Sequence, residues 1–473
     1  EQGTADEEYR ELGYYGRLRY RLRTDPRRVA DLGMVFSSVL VEWIGATLMA
    51  PITPWYVKKL APNMGQGKAA SVLMASYNIG MFVTSLFTGP LSDRVGRRPV
   101  FLIALLLYTG AQFADANAWD LASLAGFRAL EGVLAGTRPV IIAYLSDISE
   151  NDDMKLYGVI MGIFVVIGQL LGPVIGGALL QYSMWLPFYF MGILAAVLLL
   201  LEFFFLRESL VKDDNGKLVS RAKKAEEENV VFPKNKWLIP TVICLGIAAF
   251  CRQYVYLTWN TVFGLLGADR FHLSSSANGV VMGIQAAVAI VANIIYVPLT
   301  RILVPARIGC IGQLMCVVVI AVPWIYNLYA AVFLGMMVNI GGNLYFGGLA
   351  YFNAVISPPK RRGLINSLVI AMSNAGGICG PLLAGVLYDM SPVHHAYPFY
   401  MSTAMAVIGG ISCFGIDRGI KHALDLRSQL QVQYKSTDNS TKSPVSSSPT
   451  NCSAASSTVT PASGSQPSNF VAR

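Results

Sequence analysis

The chain has 473 residues, 54% of them hydrophobic and 14% charged, a balance too apolar for a soluble globular domain and suited to lipid as solvent. Its formal charge of +9 comes from Lys and Arg gathered in short clusters between apolar runs, where they set membrane topology, which excludes nucleic acid as the partner. Seven cysteines without a C-x-x-C pair indicate neither a disulfide framework nor a metal site, and nothing calls for a cofactor.

Residues 1–30 form a basic segment with Arg17, Arg19, Arg21, Arg23, Arg27 and Arg28, which predicts a cytoplasmic N-terminus. Apolar runs long enough to cross about 30 Å of hydrocarbon follow at roughly 31–55, 68–91, 98–116, 121–145, 155–181 and 184–206. Six more lie at roughly 237–264, 276–298, 307–325, 327–356, 363–389 and 397–417. The prediction is therefore an all-α membrane protein of twelve transmembrane helices, with six-helix bundles at 31–206 and 237–417. Between them, 207–236 is charged and lacks apolar periodicity, as expected of a mobile cytoplasmic linker. Residues 418–473 are expected to form a Ser/Thr-rich, disordered cytoplasmic tail. An even number of crossings returns the C-terminus to the side of the N-terminus, and most basic clusters fall on that side. Plasma and organellar membranes are not distinguished.

Span five carries Gly168, Gly172, Pro173, Gly176 and Gly177. Glycines at these spacings leave a helix face without side chains, so a neighbouring backbone can approach, and the proline bends the span. The pattern recurs as Gly376, Gly380, Pro381 and Gly385, and Pro90-Leu91 recurs as Pro298-Leu299, both at an offset of 208. Two landmarks in one register make the chain a tandem duplication with parallel, pseudo-symmetric halves and a substrate site between them at the bilayer midplane.

Between spans two and three stands Gly89-Pro-Leu-Ser-Asp93-Arg94-Val-Gly96-Arg97-Arg98. It resembles the G-x-x-x-D-R-x-G-R-R loop of the major facilitator superfamily and matches it fully. The glycine run of span five resembles the antiporter motif of that superfamily's drug and metabolite proton exchangers. Pro51-Ile-Thr-Pro54 is similar to the P-x-x-P that ends helix one in the tetracycline-exporter-like, twelve-helix branch. Physically, the loop suits a gating latch. Asp93 can accept hydrogen bonds from a helix N-terminus, and Arg94 or Arg98 can pair with Asp147 at the end of span four. The resemblance implies that the Asp93 contact reaches the start of helix eleven, near Gly363. In the second half Arg301 stands where Asp93 would be, so the latch is single.

Ionisable residues inside a membrane are costly and are functional candidates by default. Glu42 lies in span one and Arg128, Glu131 and Arg138 in span four. Seven residues apart, Glu131 and Arg138 are expected to share one helix face. The resemblance matches Arg128-Ala-Leu-Glu131-Gly132 to a fourth-helix R-x-x-Q-G pattern, with Glu in place of Gln. Between Trp237 and Tyr388 the only acid is Asp269, which assigns proton coupling to Glu42 and Glu131. Burial favours the neutral form of a carboxyl and a nearby guanidinium the charged form, so arrival of substrate can load or release a proton. Against this, Glu131 paired permanently with Arg128 or Arg138 would never titrate. The second half contributes Arg252, Tyr254, Trp259, Asn260, Asn339, Asn343 and Tyr345 as candidates to line the substrate cavity with Arg128 and Arg138.

These expectations converge on a secondary transporter, not an enzyme: a proton-coupled antiporter exporting a small drug-like compound or metabolite by alternating access, monomeric, with protons and lipid as its other partners. Two alternatives stay open, an importer or uniporter of an organic anion or sugar and a receptor-like member without transport. The surplus Arg128, Arg138 and Arg252 favours an anion; Leu206-Arg-Glu-Ser-Leu210, lacking P-E-S-P-R, disfavours sugar.

Overall fold

The structure is a computed structural model that describes residues 26–148, 153–212, 218–219, 237–300, 302–356, 362–391 and 395–441. The first half holds α1 (Pro26–Leu60), α2 (Gln66–Val95), α3 (Arg97–Asp115), α4 (Leu121–Ala135), α5 (Arg138–Ile148), α6 (Asp153–Leu180) and α7 (Leu186–Phe205). The second holds α8 (Leu238–Asp269), α9 (Ser275–Ala287), α10 (Ala289–Leu299), α11 (Pro305–Met315) continuing as a 3-10 segment Cys316–Trp324, α12 (Leu328–Ile356), α13 (Arg362–Met390) and α14 (Tyr397–Thr441). Every backbone polar group in hydrocarbon must be satisfied within its own segment, which is why apolar runs of this length fold as helices.

Ten segments among the described residues are long and apolar enough to cross a membrane, with α9 and α10 together making one, Ser275–Tyr296. The two remaining crossings of the twelve-span fold are α3, which starts on Arg97 and Arg98 and ends on Asp115, and the fourth span, which is split into α4 and α5. The split has a local cause. Pro139 lacks the donor that would continue the ladder back to Ala135, and Val140 and Ile141 instead bond the Thr137 carbonyl at 2.8 and 3.0 Å. The stranded Gly136 carbonyl accepts from Thr88 Oγ1 of α2 at 2.7 Å.

The glycine runs bring helices together in the same way in both halves. A Cβ on Gly172 would lie 2.6 Å from the Ile44 carbonyl of α1, and one on Gly380 would lie 2.7 Å from the Tyr254 carbonyl of α8. The opposite faces of these motif helices cross to the other half: Gly177 meets Ser275 and Gly279 of α9, and Gly385 meets Gly67 and Ser71 of α2. Thus α6 packs on α1 and α9 while α13 packs on α8 and α2.

Two features lie at the edges of the expected domains. The linker is anchored at its start: Arg207 donates to Asp31 through its backbone and guanidinium at 2.6 to 3.3 Å, and Val211 and Lys212 pair antiparallel with Val219 and Leu218. Residues 213–217 and 220–236 lie outside the described residues. The last helix runs to Thr441, well beyond 417, because no proline falls between Pro398 and Pro444 and Gln, Leu, Arg and Ala favour continuation. Residues 1–25, Arg301 and the remaining tail, 442–473, also lie outside the described residues. By packing, residues 26–427 belong to one compact unit and 428–441 to a second.

Candidate functional site: a charged chamber between the halves

The bundle has a linker end, which carries Arg97 and Arg207, and a far end, which carries Leu60 and Met390. Midway between them a chamber of about 50 Å³ lies between the halves, with Tyr77, Arg128 and Arg138 on one side and Gln253, Tyr256 and Asn260 on the other. That volume holds water but no drug-sized molecule until the halves part.

Because Pro139 breaks span four, Arg138 does not share a face with Glu131. It reaches α1 instead, where Nε and Nη2 donate to Glu42 Oε1 at 2.8 and 2.5 Å. Its guanidinium also lies 4.6 Å from the centre of the Trp43 ring. The pair is asymmetric in access: the Glu42 side chain is 2% exposed and that of Arg138 30%. Glu131 pairs with Arg128 one turn away in α4, both fully buried, and Arg128 stacks its guanidinium 5.3 Å above Tyr77. The spacing expected to join Glu131 and Arg138 thus yields two separate pairs.

Of the cavity candidates in the second half, Asn260 lines the chamber. Gln253, Tyr256, Leu257 and Asn260 recur at helical spacing and form one stripe of α8, so Tyr254 and Trp259 face elsewhere. Trp259 is buried, donates to Gln285 at 3.0 Å and stacks on Phe263, while Tyr254 packs beside Gly380. Asn339 and Asn343 satisfy carbonyls of their own helix at 2.9 Å, and the Tyr345 hydroxyl donates to Leu245 at 3.2 Å. Arg252 sits behind the wall, donating to the Gly342 carbonyl at 3.2 Å and to Gln253 at 2.8 Å. Tyr254, Trp259, Asn339, Asn343, Tyr345 and Arg252 thus stand around the chamber rather than in its lining, and all but Tyr254 are held by protein partners.

At the linker end the ion pairs of the signature loop centre on Arg97, not on Arg94 or Arg98. Arg97 is 3% exposed and bridges Asp93 at 2.6 Å and Asp147 at 3.3 Å, while Ser209 adds a 3.0 Å bond to Asp147. Arg94 is exposed, and Arg98 donates to the Phe203 carbonyl at 2.5 Å. The reach from Asp93 expected near Gly363, the second residue of α13, falls where residues 357–361 and the side chain of Arg362 lie outside the described residues. Gly96 has φ of 115°, a conformation open to glycine, and a Cβ there would also lie 2.6 Å from the Glu208 carboxylate. That carboxylate caps α3, accepting from the backbone of Arg97 at 2.9 Å and of Arg98 at 3.0 Å. Gly89 has open space around it.

The far end is clamped across the halves. Asp389 at the end of α13 accepts from the backbone of Gly67 and Lys68 at the start of α2, at 2.8 and 2.9 Å, where the helix dipole favours an anion. Lys58 pairs with Asp269 at 3.1 Å. Asn278 donates to the Pro51 carbonyl at 3.0 Å, so the proline-rich end of α1 supplies acceptors to the other half.

Several of these groups were missed from the sequence. Asp115 and Glu202 are completely buried acids within predicted spans, the same signal that flagged Glu42 and Glu131; Glu202 takes a hydrogen bond from Ser38. Glu208 and Asp389 carried no such signal, since they lie at span ends.

Comparison with known proteins fits this geometry. The model of the Major Facilitator Superfamily matches residues 35–266 and 245–436. Multidrug resistance protein 2 of Bacillus subtilis is 23% identical over 387 residues, covering 80% of this chain and 92% of that protein. Quinolone resistance protein NorA of Staphylococcus aureus is 24% identical over 396 residues, covering 80% and 94%. Among solved structures, a bacterial homologue of the human lysosomal transporter Spinster, inward-facing and unoccupied, aligns with TM-score 0.66 at 14% identity over 85% of this chain and 99% of its own. The human organic anion transporter MFSD10 aligns with TM-score 0.62 at 16% identity, over 82% and 99%. Duplicated six-helix halves, the glycine-lined helix contacts and the match along both halves lead to one conclusion: the chain is a multi-pass membrane protein that belongs to the Major Facilitator Superfamily.

Proposed function

We propose that the chain is a proton-coupled antiporter that exports a small organic compound by alternating access, with both termini in the cytoplasm and the monomer as the working unit. The observation that carries this reading is the Glu42–Arg138 pair, a buried carboxylate whose guanidinium partner faces the chamber. A proton on Glu42 removes the charge that holds Arg138; a cationic or polarised substrate entering the chamber competes for the same carboxylate. Proton and substrate then exclude each other at one group, which is the minimal requirement of exchange. Aromatic faces at Trp43, Tyr77 and Tyr256 suit a flat organic molecule without demanding a fixed hydrogen-bond pattern. The names of the two drug-resistance relatives support a drug-like substrate. Closure of the far end by Asp389 and Lys58 supports alternation with the latch around Arg97, each clamp holding one end shut.

An organic anion is the second reading. Arg138 keeps 30% of its side chain exposed, so a substrate carboxylate can compete with Glu42 for the guanidinium.

The test uses purified protein in liposomes with an imposed pH gradient, offering ethidium, a fluorescent quinolone and carboxyfluorescein as probes. The expected result is gradient-driven movement of ethidium or the quinolone by the wild type. Glu42→Gln should keep downhill exchange and lose accumulation against a gradient. Accumulation at the wild-type level by Glu42→Gln rules out Glu42 as the coupling group, and movement of carboxyfluorescein alone selects the anion reading.

A further inference from the structure

The chamber pair accounts for Glu42 and Arg138 and leaves a second charged group beside it unexplained. Asp115, on the last turn of α3, is 0% exposed, as is Glu131 of α4, and Arg128 between them is 1% exposed. Arg128 donates to Glu131 Oε2, whereas Glu131 Oε1 and both oxygens of Asp115 meet no donor. The two carboxyl groups nevertheless lie within hydrogen-bonding reach of each other. Helix direction explains how they meet: side chains lean toward the start of their helix, and α3 and α4 run antiparallel, so Asp115 and Glu131 lean toward one another.

Two ionised carboxylates cannot hydrogen-bond, since neither has a donor, and one guanidinium balances only one of them. Among the described residues the surrounding elements bring no second cation that is not already paired, since Arg138, across Tyr77, is held by Glu42. Tyr56 of α1 faces Asp115 but spends its hydroxyl on the Met184 carbonyl; Tyr77 of α2 and Tyr108 of α3 face Arg128 and Glu131. One added proton resolves both defects at once. It forms an O–H bond on one carboxyl, that O–H donates to the other carboxylate, and the net charge of the group goes from −1 to zero.

We propose that Asp115 and Glu131 share one exchangeable proton beside Arg128, which makes Asp115 a proton-binding residue of the transporter. Arg128 also lines the chamber, so a substrate that draws its guanidinium away changes how tightly the pair holds that proton. The proposal deepens the proton-coupled reading above and rests on it for its role in transport, but the shared proton itself is measurable without transport.

Infrared spectroscopy on the purified full chain in detergent tests it, through the C=O stretch that only protonated carboxyls show. One band belonging to the pair is expected at neutral pH, read as the difference between wild type and each variant so that the contribution of Glu202, buried beside Ser38, cancels. Asp115→Asn and Glu131→Gln should each abolish it, because either substitution leaves one acid opposite one guanidinium and hence an ionised carboxylate. Loss of the band in only one of them, or its survival in both, overturns the shared site. Should one variant fail to fold by circular dichroism, Arg128→Met gives the second measurement: with the cation gone, the wild-type band should persist, joined by a second. In liposomes, gradient-driven ethidium accumulation should also be lost in Asp115→Asn with downhill exchange kept. If the wild type itself does not couple ethidium to protons while the infrared result stands, the transport reading fails and the proton site does not.

Discussion

In the first half, α6 lays Gly172 against the Ile44 backbone of α1; in the second, α13 lays Gly380 against the Tyr254 backbone of α8, so the two copies have kept the same close helix approach. Their buried charges have diverged. The first half encloses Glu42 with Arg138, Arg128 with Glu131 and Asp115, and Glu202 with Ser38, while the second answers with amides, aromatics and an Arg252 held by a carbonyl and an amide. Backbone approach is a requirement of the fold, and every copy must satisfy it to pack without side-chain collisions. Buried ionisable groups cost energy and persist where a function uses them, so one copy can carry them for both.

The sharpest way to break this contrast is to remove one arginine from each half. Arg128→Met leaves two buried carboxyls without a cation and should cost about 3–5 kcal/mol, together with loss of coupled transport. Arg252→Met forfeits hydrogen bonds to Gly342 and Gln253 and the stacking on Tyr256, and should cost about 1–2 kcal/mol. Thermal unfolding in detergent measures both, and equal losses would show that the halves are not electrostatically distinct.

A smaller effect tests what the halves share. Gly172→Val and Gly380→Val each push side-chain atoms into a facing backbone, and each should cost about 1–3 kcal/mol. Matched falls in melting temperature are the expected outcome; a tolerated valine in one half would mean that its helix approach is not required.

The smallest effect concerns closure of the far end. Asp389→Asn keeps the shape of the cap on α2 but removes its charge, a loss of about 1 kcal/mol, which shifts the balance between closed and open far ends roughly five-fold. Spin-label distances between Asn63 and His272, on opposite halves, should broaden toward longer values, while Arg94→Gln, at an exposed position, should leave them unchanged.

Apolar runs, basic clusters and an internal offset of 208 residues were enough for the twelve-span duplicated fold, because lipid enforces helix length and leaves a single way to satisfy the backbone. The glycine runs likewise announced close helix contacts, since a missing side chain is a property of the sequence itself. Pairing was another matter. That Arg138 serves Glu42 and not Glu131 depended on Pro139 interrupting a helix, that Arg97 and not its neighbours pairs with Asp93 and Asp147 depended on the turn at Gly96, and that Asp115 meets Glu131 depended on two antiparallel helices leaning together. Composition and local spacing decide which groups enter the membrane. Which of them share a charge is decided only when separate helices pack, because a buried ion takes the partner that tertiary structure brings within reach.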